Sequence, residues 1–524
     1  MVSISAAQEN NDTYKWLLLS IVLLGSFMAT LDASIVNVSL PAIMASFGAS
    51  VDQIEWVVTG YMLTFASLIS LTSWLRDRVG SKKLFTVSLA IFTFGSVLCA
   101  VSWNLPSLIF ARVLQAAGGG AVNPTAMAMI SDVFEPRERA KALGYWGVGV
   151  IVGPAIGPTL GGYLTYDISW RAIFMVNLPI GIIATILSIF LIRKDKEEDI
   201  RRRPFDFFGF IFLAAFLIAL LLGLNKGNSK GWTSPYIMTC VAVGVFSLIG
   251  FLTVETQIEH PILDLSIFKN KIFTSSFLVT AGRSVGLFGG VFLLPLFMEI
   301  FMGFDEIKSG LILLPGAIVI GFMMPLAPKI ADKFGVRTVA IIGLLLVAWF
   351  MFDYRSIDVS TSVWGIIGPT LIRGIGIGLL VAPLMATALN AVPKSKTGQA
   401  TVLLNLIQQV AGSIGIAVLG TVLDIRTKFH LLAIGSALNP NTPAIREAMQ
   451  GIFYRTLRLG YSPAVGRLLS RVLLIKNAVM NAAVAGYQDS FIFGAAIVLL
   501  AIVFALFLPQ ESVRPESGEP VILE

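Results

Sequence analysis

One acid and one base lie deep inside two apolar stretches of this sequence. Asp32 belongs to the stretch 16–40 and Arg112 to the stretch 106–130, and residue counting places them within about one helical turn of the same depth. A carboxyl group in an apolar cavity can load and release a proton, and a neighbouring arginine, which stays charged, favours release. We therefore predict that Asp32 is a proton-coupling acid tuned by Arg112. The alternative is a static ion pair that joins two helices.

Two further arginines are buried in apolar stretches of the second half of the sequence. Arg283 and Arg373 each lie near the middle of a stretch, too deep for their side chains to reach the membrane surface. They are compatible with an anionic amphiphile as ligand, and structural pairing with backbone carbonyls is an equal alternative. The other candidates for substrate contact are polar or aromatic residues in apolar stretches: Asn37, Tyr61, Gln115, Glu299, Asn405 and Gln408. Glu299 suits capture of a cation or proton, or is simply solvated at the interface.

The composition indicates the setting of these residues. Hydrophobic residues make up 56% of the 524 residues and charged residues only 13%, which is typical of a membrane protein. We count fourteen apolar stretches of about 20 residues, the length that spans a bilayer. They are 16–40, 54–75, 84–102, 106–130, 143–165, 172–192, 207–224, 236–253, 273–302, 309–330, 338–352, 363–389, 398–423 and 490–508. The fold class is therefore an all-α polytopic membrane protein.

An internal repeat predicts two parallel six-helix bundles. Asp77 and Asp332 begin similar loop sequences 255 residues apart, Arg112 and Arg373 are 261 residues apart, and Gly412 follows the glycine-rich stretch around position 153 by 259 residues. The predicted domains are an N-terminal tail 1–15, a first bundle 16–192, a linker 193–271 with two additional spans at 207–224 and 236–253, a second bundle 272–508 and a C-terminal tail 509–524. Parallel repeats are typical of transporters that work by alternating access.

Lysine and arginine in the short loops predict the orientation. The loops after spans 2, 4, 6, 10 and 12 contain Arg76, Arg78, Lys82, Lys83, Arg137, Arg139, Lys141, Arg193, Lys194, Lys196, Arg201, Arg202, Arg203, Lys329, Lys333, Arg337, Lys394 and Lys396. Both tails are then cytoplasmic. The loop 428–486 is external by this count and is basic as well, against the rule. Thr442-Pro443 and Ser462-Pro463 predict two amphipathic helices there, lying on the outer membrane surface or capping the outer mouth.

A glycine stripe on the fifth span predicts close helix packing. Gly149, Gly153, Gly157 and Gly161 recur every four residues, with Pro154 and Pro158 at the same period. On a helix they leave a groove without side chains, where a second helix approaches closely. Each proline also bends the helix and frees a carbonyl. We call these six residues the seam and predict that it is a moving joint.

Several chemistries lack their usual sequence signals. The sequence contains no Walker phosphate loop, no His-Glu-x-x-His pair and no Gly-x-Ser-x-Gly elbow. Its two cysteines lie in apolar stretches and predict no disulfide. We expect no enzymatic activity, no cofactor, no metal and no nucleic-acid partner. The energy source is then an ion gradient, which the Asp32 hypothesis makes a proton gradient.

Several motifs together resemble one family. Gly80 with Asp77 and the neighbouring bases resembles the loop signature of the major facilitator superfamily, and the Gly-Pro repeats of the seam are similar to its antiporter signature. The sequences 31–41, 55–61, 170–181 and 261–268 resemble the fourteen-span drug:proton antiporters of the EmrB/QacA type. The residues depart from that pattern at Glu299, where glutamine is usual, and at Gln408, where arginine is common.

This resemblance implies a function and a location. The implied activity is proton-coupled export of hydrophobic or amphiphilic compounds, as in multidrug efflux, across the cytoplasmic membrane of a bacterium. The alternatives are a dedicated exporter of a lipid, fatty acid or siderophore and, from another class, a non-transporting sensor or scaffold. We further expect a cytoplasmic gate formed by Asp77, Arg78, Gly80, Lys82, Asp332 and Arg337. Besides substrate and protons, membrane lipids and an envelope adaptor protein docking on the loop 428–486 are candidate partners.

Overall fold

The computed structural model describes residues 2–195, 204–437 and 443–510, and every regular element in these ranges is helical. Fourteen helical segments in them are long and apolar enough to cross a bilayer, which confirms the fold class. The chain begins with α1 (Val2–Phe47), α2 (Val51–Ile54), α3 (Trp56–Val79), α4 (Ser81–Ala100), α5 (Leu105–Val133), α6 (Pro136–Asp167), α7 (Ala172–Met175) and α8 (Asn177–Leu191). We call this part the first half.

An additional pair, α9 (Phe207–Lys230) and α10 (Pro235–Gln257), follows and packs together. The second half contains α11 (Lys271–Phe301), α12 (Glu306–Phe334), α13 (Val336–Asp353), α14 (Val363–Asn390), α15 (Thr397–Ala437), α16 (Pro443–Arg458) and α17 (Pro463–Ala505). The tail 2–15 is part of α1. Part of the linker, 196–203, and most of the C-terminal tail, 511–524, lie outside the described residues.

Matched contacts relate the two halves. Gly80 and Gly335 both end a helix at φ 85°, a left-handed conformation that glycine adopts without strain. Two residues later, Lys82 donates from Nζ to the carbonyls of residues 189 and 192 at the end of α8, at 2.7 and 2.6 Å. Arg337 donates from Nε to the Leu508 carbonyl beyond α17, at 2.7 Å. Each loop therefore closes the C-terminal end of the last helix of its own half.

The helices around position 430 differ from the prediction. α15 continues to Ala437, and the segment that begins at Ser462-Pro463 runs without a break through the last span. With 43 residues, α17 is about 65 Å long at 1.5 Å per residue, twice the bilayer core of about 30 Å. The helix predicted at Thr442-Pro443 forms as α16, ends before Gly460 at φ 86° and packs against α17. The loop therefore contains one separate helix and two extensions of spanning helices.

Candidate functional site

An ion pair is buried in the first half between α1 and α5. Arg112 donates from Nη1 to Asp32 Oδ2 at 2.6 Å, and the side chains are 1% and 0% exposed. Removing two charges from water is costly unless they are paired and hydrogen-bonded. The structure thus brings together the two residues that the sequence singled out.

Two amides complete the surroundings of this carboxylate. Gln115 donates from Nε2 to Asp32 Oδ1 at 2.8 Å, and its Oε1 accepts from Arg112 at 2.6 Å. Asn177, at the start of α8, donates to the same Oδ1 at 2.7 Å. Ser96 on α4 accepts from both amides, at 2.7 and 3.3 Å. Oδ2 accepts from Arg112. A proton that binds Oδ2 therefore competes with the arginine for this oxygen.

Tyr61 covers the arginine from α3. The Arg112 guanidinium lies 4.0 Å from the centre of the Tyr61 ring, a cation–π contact. Tyr61 and Gln115 are both buried. They were predicted as candidates for a substrate cavity, and in the structure both pack around the ion pair. Asn37 lies further along α1 than Asp32 and is exposed. Its side chain donates to the carbonyl of Ala33 on the same helix.

The seam packs against the turn of α1 that carries Asp32. A Cβ atom built on Gly153 would lie 2.8 Å from the nitrogen of Leu31, and one on Gly157 would lie 3.2 Å from the nitrogen of Ile35. Gly149 and Gly161 meet α1 at residues 23 and 35 in the same way. Pro158 has no N–H for the carbonyl four residues earlier, that of Pro154, and Ser34 Oγ donates to this carbonyl at 3.1 Å. The predicted close packing is confirmed, with α1 as the partner.

The contact between the halves uses another face of α6. A Cβ atom on Gly144 would lie 2.6 Å from the Met324 carbonyl oxygen of α12, and Gly147 touches the Met324 side chain. The seam glycines themselves pack within the first half. α6 therefore stands between α1 and α12, with the seam glycines on the α1 side. Movement at the seam stays a prediction.

The halves are joined where α6 begins, just after α5, and α14 ends. We call this the basic edge, because Lys82 and Arg139 lie on it. Residues 118–131 of α5 and 376–389 of α14 are buried on all sides. Across the edge, Arg139 Nη1 donates to Asn390 Oδ1 at 2.5 Å. The interface is therefore closed at this edge.

Several of the residues expected to form a gate contact their own half of the protein. Lys82 and Arg337 bond carbonyls of their own halves, and Arg78 stacks on Trp74 of its own helix at 5.2 Å. Gly80 is tightly packed against Asp195, which accepts from the Lys82 nitrogen at 3.0 Å. Asp77 is half-buried at the end of α3 and Asp332 is exposed on α12. The contact between the halves that the structure shows at this edge is the one between Arg139 and Asn390, and the gate of six residues stays a prediction.

The second half keeps an arginine without an acid beside it. Arg373 is buried, with its guanidinium 5.0 Å from the Phe350 ring. Arg283 on α11 donates from Nη2 to Gln408 Oε1 of α15 at 3.1 Å. Asn405, one turn before Gln408, contacts Met127 Sδ of the first half at 3.0 Å. Glu299 is half-buried near the end of α11. The structure thus pairs Arg283 with Gln408, and among the described residues neither arginine has the backbone carbonyl that was one of the two alternatives.

Sequence reasoning missed two members of the buried cluster. Asn177 was noted only within the motif 170–181, and Ser96 was not noted at all. Asn177 lies 145 residues from Asp32 along the chain, so spacing could not connect them. An asparagine inside an apolar stretch was a usable signal, because a buried amide requires partners.

Fourteen candidate spans, two similarly built halves and a buried acid–base pair define a multi-pass transporter. The model of the Major Facilitator Superfamily matches residues 22–416. The chain belongs to this superfamily.

Its relatives agree with the fourteen-span EmrB/QacA type. The uncharacterized MFS-type transporter YhcA of Bacillus subtilis is 32% identical over 99% of this chain and 98% of its own length. The multidrug export protein EmrB of Escherichia coli K12 is 30% identical over 82% of this chain and 85% of its own. Among solved structures, the proton:xylose symporter XylE matches with a TM-score of 0.62 at 13% identity, over 96% of this chain and 98% of that one. At this identity the likeness to XylE concerns the fold.

Proposed function

We propose that this protein exports hydrophobic or amphiphilic compounds across the cytoplasmic membrane of a bacterium in exchange for protons, by alternating access. The observation that carries the proposal is the buried carboxylate of Asp32, held by Arg112, Gln115 and Asn177. An ion pair in the bilayer interior is expensive, and it typically marks an ion or substrate pathway. A sensor or scaffold has no need for it. The name of the relative EmrB supports export as the direction.

The coupling step follows from competition at one oxygen. A proton that binds Asp32 Oδ2 displaces the hydrogen bond from Arg112, which lies 2.6 Å away. The arginine then keeps its hydrogen bond to Gln115 Oε1 and loses the one to the carboxylate. Because the seam holds α6 against the turn of α1 that carries Asp32, a movement of that turn reaches α6. α6 in turn contacts α12 of the other half. Protonation thereby favours one arrangement of the halves over the other.

The basic edge is cytoplasmic in this proposal, as the lysines and arginines of the short loops predict. Both termini are then cytoplasmic too. In this proposal, the contact between Arg139 and Asn390 keeps the basic edge closed in the outward-facing state. Substrate leaves from this state, and the incoming proton reaches Asp32 from the outside. Apart from the substrate and the proton, the proposed cycle uses no bound group.

Purified protein in liposomes tests exchange directly. The liposomes that contain the protein are loaded with a fluorescent amphiphile, and a pH difference across their membrane is imposed in either direction. Antiport predicts that the amphiphile moves against the proton gradient and that reversing the gradient reverses the movement. Movement in the same direction as protons indicates symport and contradicts the proposal. Absence of any gradient-driven movement supports the sensor or scaffold alternative instead.

A further inference from the structure

The second half contains two buried arginines whose charges the chain itself leaves unpaired. Arg283 is 2% exposed and Arg373 is 3% exposed. Within the described ranges, neither has a carboxylate at ion-pair distance. In the first half, by contrast, Arg112 and Asp32 neutralise each other at 2.6 Å. The interior of the second half is therefore electropositive.

Their hydrogen-bond donors are only partly used. Arg283 donates to one neutral acceptor, Gln408 Oε1, and its Nε has no hydrogen-bond partner among the described residues. In that same part of the chain, Nε and Nη1 of Arg373 have none either. A buried polar group without a hydrogen-bond partner destabilises the protein, and a charged group does so more strongly. Such donors are favourable where an anion comes to meet them.

The side chain of Arg373 reaches α11, the helix that carries Arg283. The Nη1 atom of Arg373 would lie 3.0 Å from a Cβ atom built on Gly290 of α11. Gly290 follows Arg283 by seven residues, so the two positions share a face of α11 about 10 Å apart. Both lie in the middle third of α11, at the depth where parallel-repeat transporters bind substrate. Gln408 is only half-buried, so the pair that it forms with Arg283 is partly accessible.

We propose that Arg283, together with Gln408, binds the anionic group of the exported amphiphile, and that Arg373 adds positive charge from the same face of α11. The guanidinium fork suits a carboxylate or sulfate, to which it donates two parallel hydrogen bonds. This inference rests on the proposed export function and specifies its substrate class. Compounds with an anionic head and an apolar chain are then bound in preference to cations of equal size.

Two probes with the same twelve-carbon chain and opposite charge test the preference: laurate and dodecyltrimethylammonium. Binding to the purified protein and exchange against protons in liposomes are measured for both. Arg283→Gln is expected to weaken laurate binding about 10- to 100-fold, the range for a charge-assisted hydrogen bond. It should leave dodecyltrimethylammonium binding unchanged. Arg283→Lys, which keeps the charge but loses the fork, should fall between wild type and Arg283→Gln.

A second variant reaches the same site without removing the arginine. Gln408→Glu places a carboxylate beside Arg283, where it occupies the guanidinium as a competing anion. Laurate binding should fall by a similar factor, and dodecyltrimethylammonium binding should be kept or improved. The control is Arg355→Gln, which removes an exposed arginine stacked on Phe352 at 4.1 Å. It should change neither ligand.

The outcomes separate this inference from the proposed function. Equal laurate binding in wild type and in both variants overturns it, as does an equal loss of both ligands. If the protein exchanges only the cationic probe for protons, the inference fails and the export function stands. If neither probe is exchanged for protons, both fail together.

Discussion

A methyl group added at Gly153 measures how tightly the seam holds the turn of α1 that carries Asp32. In Gly153→Ala, the new Cβ atom would lie 2.6 Å from Thr30 Oγ1 and 2.8 Å from the nitrogen of Leu31. The threonine side chain can rotate away, but the backbone nitrogen cannot. Restoring an ordinary contact of 3.4 Å requires α1 to move by about 0.6 Å at the residue next to Asp32.

The energetic cost follows from this displacement. Overpacking costs about 1–3 kcal/mol, and replacing glycine by alanine in a helix returns about 1 kcal/mol. We expect a net loss of about 1 kcal/mol in the free energy of unfolding. A shift of the same size changes the contact of 2.6 Å between Asp32 and Arg112 by up to about 0.6 Å, which is enough to disturb a hydrogen bond. Proton-coupled transport should therefore fall further than stability does.

The matched control lies on the same helix. In Gly162→Ala the nearest atom to the new Cβ is Ile307 Cγ1 at 3.5 Å, an ordinary contact. The assay combines denaturant unfolding in detergent with transport driven by a pH difference in liposomes. Gly162→Ala should equal or exceed wild type in stability and keep its transport. If Gly153→Ala behaves like Gly162→Ala in both assays, the seam does not position Asp32.

Three further predictions concern other contacts. Asn177→Ala removes a donor to Asp32 Oδ1. It should lower the free energy of unfolding by about 1 kcal/mol in denaturant and reduce proton release upon ligand binding. Unchanged proton release contradicts the place of Asn177 in the cluster. Arg139→Ala removes the hydrogen bond to Asn390. The distance between spin labels at the exposed positions 137 and 394 should therefore increase. An unchanged distance distribution shows that other contacts hold the basic edge closed. Burial raises the pKa of Asp264, but the hydrogen bonds from Lys396 and Ser266 outweigh it and lower that pKa below its ordinary value. The pair with Lys396 therefore adds stability above about pH 4 and loses it as pH falls through the lowered value, so the melting temperatures of wild type and Asp264→Asn should converge in acid; a constant difference contradicts this.

The sequence was sufficient for the spans and for the ion pair. An apolar stretch of bilayer length has few alternatives to a helix, and a lone acid and a lone arginine at similar depth need each other. The glycine period likewise predicted close packing. These signals work because they are local, or because burying a charge is so costly that its partner can be inferred.

The remaining features depend on contacts between distant segments. Nothing local to the seam indicates that its glycines meet α1 while Gly144 and Gly147 of the same helix meet α12. Lys82 and Arg337 were expected in a gate, because charge and repeat position do not reveal that they bind the carbonyls of Ile192 and Leu508. Ser462-Pro463 is a good helix start, but a start signal does not tell whether that helix stops before the next span or, as in α17, runs into it.

The central claim, that Asp32 exchanges its proton when substrate binds, is tested most directly by proton release from purified protein. Ligand is added in weakly buffered detergent solution with a pH-sensitive dye, to wild type and to Asp32→Asn. The amide keeps the size of the side chain and cannot carry the proton. We predict proton release from wild type upon ligand binding and none from Asp32→Asn, although the variant still binds ligand. Equal release from both proteins would contradict the assignment of Asp32 as the coupling acid.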